Sequence, residues 1–360
     1  MVKKNTAFNF LKWVDSSSTL FLLLISMASA IRAVSYYLPE EVYSNEQFFK
    51  DFPDAVGSNL EKVGVQQRHI AAKDQTASDL AFLSAEKLFQ EYQIDRSTID
   101  LLIIGLLDPD YYIPSTACVL HGRLGLKKNC GAIDFAMGCS AYVYGLAMAD
   151  GMMRSTGARN VLFLTQSSLT KTLHPKDKSS RFVFGDAGSA TLLSWSEEDS
   201  IGPFVLGTDG TGFEKIIIED GGARHPLNEA SYKEFEDEYG NVTARANFRM
   251  DGVGVFLFTM RTVPVLIDEL MTKAGIKKED VDLFIFHQPN KFINEKLRMK
   301  MKIPEEKFVH CMELTGNTVQ ATIPIAIHDA QKSGRLKPGM KVVLAGFGVG
   351  LSWSATIVRF

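Results

Sequence analysis

Cys139 is the residue of this sequence whose type and setting most favour covalent chemistry. An apolar run before it predicts a buried strand, and the small apolar residues at 143–149 predict a buried helix after it. At such a turn the free N–H groups and the dipole of the helix favour an anion. We therefore expect a lowered thiol pKa and a thiolate nucleophile. The alternative is a small buried hydrophobic side chain, which is what most free cysteines are.

Two more residues have the types that would assist a thiolate. His287 ends the apolar run 283–286 and begins a turn, which is a common place for a functional residue at a strand end. Asn317 lies in a Gly-Asn-Thr turn before a helix predicted at 321–327. Each has an ordinary explanation when it is considered alone: a loop histidine bonded to backbone, and an asparagine suited to a turn.

An internal repeat describes the elements that must position these residues. Residues 94–104 match residues 276–286, and 157–162 match 339–344, both at an offset of 182 residues. Each match predicts a helix, a polar turn and a continuous apolar strand, as in sheets covered by helices on both faces.

The repeat divides the chain into two similar α/β halves, 29–200 and 201–360. The first half carries Cys139, whereas the second carries His287 and Asn317. Because matching strand ends of paired halves converge, we expect the three side chains to face one another.

Composition excludes several classes of function. The 360 residues are 46% hydrophobic and 22% charged with a net charge of −3, which predicts a globular enzyme without a nucleic-acid partner. The four cysteines form no CxxC pair and the seven histidines no ligand cluster, so we expect a cytoplasmic, reducing location and no structural metal. The sequence has no glycine motif for nucleotide phosphates.

Residues 1–28 form a predicted N-terminal extension that imitates a signal peptide. The apolar run 20–25 is too short to span a bilayer, so no membrane association is expected. Met27 directly precedes the first predicted strand, 31–39. We favour an upstream segment with the start at Met27, because the rest of the chain has the features of a cytoplasmic thiol enzyme. Secretion is the alternative.

The run 346–350, Gly-Phe-Gly-Val-Gly, follows a predicted strand near the C-terminus. Backbone N–H groups in such a run can point at a developing oxyanion. A tight β-turn is the competing explanation.

Together these residues resemble the thiolase superfamily and, within it, the β-ketoacyl-acyl-carrier-protein synthase III family. The resemblance extends from about residue 29 to the C-terminus. The segments that carry it are 37–40, 64–70, 114–115, 184–186, 287–290, 316–318, 346–350 and 358–360. It implies a homodimer and an α/β, thiolase-like fold in which the two halves form a five-layer αβαβα sandwich.

The resemblance also implies a reaction. The family's Cys-His-Asn set falls on Cys139, His287 and Asn317. Cys139 would accept an acyl group from a thioester, and malonyl on acyl carrier protein would lose CO2 and attack it. His287 and Asn317 would hydrogen-bond the malonyl thioester oxygen, and the N–H groups of Cys139 and Val349 would hold the oxyanion. No metal or organic cofactor is implied.

Other positions concern the substrates. By resemblance, Ile113 is a gate of the primer pocket, contributed across the dimer. Lys291 is the candidate for docking the carrier, although Lys291-Phe292 replaces the family's usual order, in which a basic residue two places on has that role. Where the family has a tryptophan that stacks on the adenine of coenzyme A, residues 54–64 contain none. The acyl donor is therefore open between coenzyme A and a carrier protein.

Three alternatives stay open. A specialised relative could condense without decarboxylation, or form esters or amides, with the same three residues. A papain-like cysteine hydrolase also uses Cys, His and Asn, but the signature around its cysteine is absent here. A non-catalytic interaction protein is the last alternative, and the intact set of three argues against it.

Overall fold

The computed structural model describes residues 28–55, 62–198, 200–237 and 240–360. Both interpretations of the N-terminal extension concern residues 1–27, which lie outside the described residues. Within the described part of the chain, no helix is both long and apolar enough to cross a membrane.

Strands and helices alternate along much of the chain. The strands are β1 (Ala28–Tyr37), β2 (Glu41–Ser44), β3 (Gln67–Ile70), β4 (Leu101–Gly105), β5 (Gly131–Phe135), β6 (Asn160–Ser167), β7 (Ala187–Ser196), β8 (Ile201–Thr208), β9 (Ile216–Ile218), β10 (Phe235–Glu236), β11 (Val242–Thr243), β12 (Phe248–Met250), β13 (Leu283–Phe286), β14 (Lys341–Gly348) and β15 (Ser352–Arg359). The helices are α1 (Asn45–Asp51), α2 (Ala77–Glu91), α3 (Thr116–Arg123), α4 (Ala141–Thr156), α5 (Lys178–Val183), α6 (Gly252–Ala274), α7 (Lys291–Lys300) and α8 (Thr322–Lys332).

Two large sheets repeat one topology. The first has the order β1-β7-β6-β4-β5 and the second the order β13-β14-β15-β8. In each, a parallel pair (β4 with β6, β13 with β14) continues into antiparallel neighbours. Ile103 pairs with Phe163 and Ile285 pairs with Leu344, so the 182-residue offset holds to within one residue across these strands. The predicted repeat is therefore present in the fold.

The sheets differ at one edge. The first sheet ends in β5, whose Ile133 is 38% exposed. Beyond β13, the described residues of the second sheet show only a single bridge, between Phe284 and Phe308. The repeat is thus less complete at the edge than in the sheet centres, where buried apolar strands impose the pattern.

Three apolar clusters hold five layers together, and the middle cluster lies on both faces of the central helical layer. Leu88 of α2 packs on the outer face of the first sheet. Leu146 of α4 and Ile327 of α8 lie in the cluster between the sheets. Leu266 of α6 and Leu297 of α7 cover the outer face of the second sheet. The predicted five-layer αβαβα sandwich is confirmed.

Small residues let α4 fit between the two sheets. A Cβ built on Gly145 would lie 2.1 Å from the ring of Phe163, so only glycine allows this approach of helix and strand. Helices α4 and α8 each contact strands of both sheets. The two halves therefore share their central layer, and the division of the chain at residue 200 into domains stays a prediction.

Candidate active site

Cys139 lies between β5 and α4, as the strand-turn-helix pattern predicts. It occupies a short 3₁₀ turn, Gly138–Ser140, that leads directly into the helix. Gly138 has a φ of +51°, and a Cβ on it would lie 2.9 Å from the side chain of Val349. Glycine is therefore required here, both by the backbone and by the contact with the other half of the protein.

The surroundings of Cys139 contradict the predicted thiolate. The residue is only 8% exposed, and burial raises the pKa of its thiol to about 12. The N–H groups of Val349 and of Cys139 itself lower the pKa, but by less than burial raises it. The prediction of a lowered pKa is thus wrong for the resting protein, because the second half covers the thiol and removes it from water.

His287 follows β13 directly and is 2% exposed. Its backbone N–H donates to the carbonyl of Ala345 on the neighbouring strand, at 2.7 Å. Nδ1 of the ring lies 2.7 Å from Oγ1 of Thr322, the first residue of α8. Burial lowers the pKa of His287 to about 3, opposed by the carbonyl of Val319, so the ring is neutral at pH 7.

Asn317 is held by backbone bonds to the first half. Its N–H donates to the carbonyl of Val183, and its carbonyl accepts from the N–H of Gly185. Oδ1 accepts from the N–H of Val319 at 2.9 Å. The amide oxygen is therefore occupied, and Nδ2 is the end of the side chain that is left to donate.

Val319 has a φ of +54°, in the left-handed region that β-branched residues rarely adopt. Such a conformation costs of order 1–3 kcal/mol and persists where surrounding contacts impose it. Here the conformation directs the N–H of Val319 to Asn317 and its carbonyl to Thr322. The strain is located where the site is assembled.

The predicted catalytic residues line one cavity. Cys139, His287, Asn317 and Val349 line one small cavity whose other walls are mainly apolar. Among those walls are Leu107, Leu169, Phe184, Ile216, Phe248, Ile293 and Phe347. The three side chains are thus brought together by the fold, whereas the chemical role of each stays a prediction.

A second apolar chamber adjoins the first. The two share Leu107, Leu169, Ile216, Phe248 and Val349. A chamber with such apolar walls suits an acyl chain. Sequence reasoning missed these walls because they come from separated segments that share no motif.

A polar cleft meets the cavity at Phe248 and Met250. Four acidic residues line this cleft: Asp177, Glu214, Asp237 and Asp251. Among the described residues of its lining, Arg249 pairs with Glu219 and Asp251 pairs with Lys215. The described lining of the cleft is therefore richer in negative than in positive side chains.

Two predicted residues lie away from the cavity lining. Ile113 is 88% exposed, in an apolar loop tip with Tyr111 and Tyr112. Lys291 is exposed at the first position of α7, two residues from Ile293 in the cavity wall. The gate and docking roles stay predictions.

Thr322 and Gly348 are site residues that sequence reasoning missed. A Cβ on Gly348 would lie 2.9 Å from Sγ of Cys139, and Thr322 contacts the ring of His287. The glycine-rich run 346–350 was a sequence signal for Gly348. For Thr322 there was none, because it lies 35 residues from its partner.

Metal ligands do not gather in the part of the chain that the structure describes: no group of three or more His, Cys, Asp or Glu side chains is placed to hold an ion. The four cysteines are free thiols. The absence of a metal or organic cofactor stays a prediction.

Comparisons with known proteins identify relatives over most of the chain. The family model of 3-oxoacyl-[acyl-carrier-protein (ACP)] synthase III matches residues 133–210, and the model of its C-terminal part matches residues 271–360. The beta-ketoacyl-[acyl-carrier-protein] synthase III of Xanthomonas axonopodis pv. citri (strain 306) is 32% identical over 333 residues, 92% of this chain and 98% of the relative.

Solved structures agree with the sequence comparisons. A 3-oxoacyl-(acyl-carrier-protein) synthase III crystal structure at 2.1 Å is 42% identical, with a TM-score of 0.90 over 92% of this chain and 100% of that one. A 3-oxoacyl-(acyl-carrier protein) synthase from Burkholderia xenovorans LB400 is 32% identical, with a TM-score of 0.84 over 92% and 94% of the two chains. These matches confirm the predicted fold and acyltransferase class: the chain belongs to the 3-oxoacyl-[acyl-carrier-protein] synthase III family.

Proposed function

We propose that this protein transfers an acyl group from a thioester to Cys139 and condenses it with malonyl-acyl-carrier protein, with loss of CO2, in fatty acid or related biosynthesis. The observation that carries the proposal is that Cys139, His287 and Asn317 line one buried apolar cavity. The adjoining chamber offers space for the acyl chain.

In the first step, neutral His287 accepts the proton of the Cys139 thiol as sulfur attacks the donor carbonyl. A neutral base and a neutral thiol suit a cavity that disfavours charge on either group. The N–H groups of Cys139 and Val349 stabilise the tetrahedral oxyanion. One such donor contributes about 3 kcal/mol to transition-state stabilisation.

In the second step, malonyl loses CO2 and its enolate attacks the acyl group on Cys139. Asn317 donates from Nδ2 to the enolate oxygen, because its Oδ1 is already bonded to Val319. His287 takes up one proton from solvent at Nε2, gives the second hydrogen bond to the enolate oxygen, and passes that proton to the Cys139 thiolate as the product leaves. Apart from this one solvent proton, the thiol, imidazole and amide provide the proton transfers and side-chain hydrogen bonds of both steps, so the proposal needs no metal or organic cofactor.

The acyl donor that the cleft favours is a carrier-bound thioester. The acidic side chains Asp177, Glu214 and Asp237 would repel nucleotide phosphates of coenzyme A bound in this cleft, whereas Lys215 offsets the charge of Asp251. Lys291 stands at the first turn of α7, beside the cavity wall, and is the cation that we assign to carrier docking.

A homodimer accounts for exposed apolar surface on the first half. Tyr111, Tyr112 and Ile113 are exposed together, and Ile133 is exposed on the edge strand β5. We assign Ile113 to the primer gate of the partner's cavity. A cytoplasmic location suits four free thiols.

Intact-mass analysis of wild type and Cys139→Ala with acyl-coenzyme A and acyl-carrier donors tests the function. We expect an acyl adduct on wild type, absent from Cys139→Ala, and more adduct from the carrier donor. Cys118→Ala is the matched control, because Cys118 is an exposed thiol outside the cavity. Malonyl-acyl-carrier protein should then yield CO2 and a β-keto product.

Each other outcome contradicts a stated part of the proposal. No adduct from any donor would refute acyl transfer to Cys139. A product without CO2 would favour the non-decarboxylative alternative, and release of free acid would favour the hydrolase. Equal acylation by coenzyme A donors would refute the donor assignment.

A further inference from the structure

The hydroxyl of Thr322 lies between the ring of His287 and the carbonyl of Val319. Oγ1 is 2.7 Å from Nδ1 of the ring and 3.0 Å from the carbonyl oxygen. All three residues are at most 2% exposed, so these hydrogen bonds are shielded from bulk water. The hydroxyl has one proton and two neighbours that could accept it.

The two ways of placing that proton differ by one hydrogen bond. If Thr322 donates to Val319, the ring must carry its proton on Nδ1, and both contacts are hydrogen bonds. If Thr322 donates to Nδ1, the proton of the ring is on Nε2, and the bond to the Val319 carbonyl is lost. The first arrangement makes two bonds and the second makes one, so the first is favoured.

The position of the Val319 carbonyl agrees with the first arrangement. It lies 3.0 Å from Oγ1 of Thr322, where it accepts the hydroxyl proton. The same carbonyl raises the pKa of His287, although burial has the larger and opposite effect.

We propose that Thr322 is a positioning residue that holds His287 as the Nδ1–H tautomer, with the lone pair of Nε2 free to act as the base for Cys139. This inference rests on the proposed function, because it assigns a state to the histidine of that reaction. Thr322 acts through His287 and contacts no substrate.

With His287 as the Nδ1–H tautomer, every proton and electron pair of the acyl transfer to Cys139 is accounted for. As Sγ of Cys139 attacks the donor carbonyl carbon, the thiol proton moves to Nε2 and the carbonyl π electrons move to oxygen. When the intermediate collapses, the bond from carbon to the donor sulfur breaks, and that sulfur takes the proton from Nε2. The Nδ1 proton stays on the ring throughout and is donated to Oγ1 of Thr322, so His287 ends as it began.

The test combines nitrogen NMR with single-turnover acylation on the full chain. Protein labelled with ¹⁵N-histidine reports which ring nitrogen carries the proton, and His287→Gln identifies the signals of His287. We compare wild type, Thr322→Val, which removes the hydroxyl at nearly constant volume, and Thr322→Ser, which keeps it. Acylation is followed by intact mass with an acyl-carrier donor.

We expect Nδ1–H in wild type and in Thr322→Ser, and a shift towards Nε2–H in Thr322→Val. Acylation of Cys139 should slow about fivefold to tenfold in Thr322→Val, the factor that one hydrogen bond is worth, and recover in Thr322→Ser. Should the valine variant not fold, Thr322→Ala replaces it in both measurements.

An Nε2–H signal in wild type would overturn the inference, and so would a valine variant that keeps both the wild-type tautomer and the wild-type rate. These results differ from failure of the proposed function, in which wild type itself forms no Cys139 adduct. In that case the NMR signal still decides the tautomer.

Discussion

Gly348 is the residue at which the smallest substitution should have the largest effect on the reaction. It ends β14 in the second half of the protein, directly against Cys139, the proposed nucleophile, in the first half. A Cβ built on Gly348 would lie 2.9 Å from both Cβ and Sγ of Cys139. Gly348→Ala therefore places a methyl group against the reacting sulfur without adding charge or polarity.

The size of the effect follows from these distances. Ordinary contacts of a Cβ lie at 3.4–4 Å, so the thiol or the strand must move by about 0.5–1 Å. The backbone of Cys139 passes close to the backbone of Gly346, because a Cβ built on Gly346 would lie 2.8 Å from the carbonyl oxygen of Cys139. The Cys139 backbone therefore has little room to move. A displacement of about 1 Å at a reacting atom can reduce a rate about 100-fold, and we expect a loss of that order in acylation.

Single-turnover acylation measured by intact mass is the assay, with thermal unfolding to show that the variant is folded. The matched control is Gly151→Ala, in the helix that follows Cys139, where no atom lies within 4 Å of the new Cβ. The control should acylate as wild type does and gain about 0.5–1 kcal/mol of stability. A folded Gly348→Ala that acylates within about threefold of wild type would refute the close approach of the two halves at the thiol.

Three further predictions concern the thiol, the central layer and the amide. Because burial raises the pKa of Cys139 to about 12, its alkylation by iodoacetamide should accelerate about tenfold per pH unit from about pH 7 to 10. A plateau near neutral pH would contradict this. Gly145→Ala should lower the free energy of unfolding in urea by about 1–3 kcal/mol, because its Cβ would lie 2.1 Å from Phe163. Stability equal to that of Gly151→Ala would disprove this packing. Asn317→Asp should still form the acyl adduct but condense at least about 100-fold more slowly, since a carboxylate cannot donate to an enolate. Condensation near the wild-type rate would show that Asn317 is not the donor.

Much of the fold was predictable because its signals are local. The apolar strands around Ile103 and Ile285 are buried on both faces, and they recur at a fixed offset. The small residues after Cys139 predicted a buried helix, and Gly145 shows why they are small. Family resemblance supplied the five-layer arrangement, which the contacts of the helices with the sheets bear out.

The candidate site was predictable in its members but not in its electrostatics. A strand-turn-helix pattern indicates a helix N-terminus at Cys139, and that is the effect from which a thiolate was predicted. The covering of the thiol by Gly348 and Val349 comes from residues about 210 positions away, which no local pattern reports. Burial outweighed the helix and reversed the expected direction of the pKa shift.

The amino-acid sequence alone indicated two related halves and the candidate residues Cys139, His287 and Asn317. Strand periodicity and motif residues are properties of short segments, so both can be recognised without the structure. Which protonation state each partner has depends on contacts between segments. Thr322 reaches His287, Val319 reaches Asn317, and the second half closes over Cys139. Desolvation and hydrogen-bond direction arise from such packing, and so the chemistry of the site is set where the two halves meet.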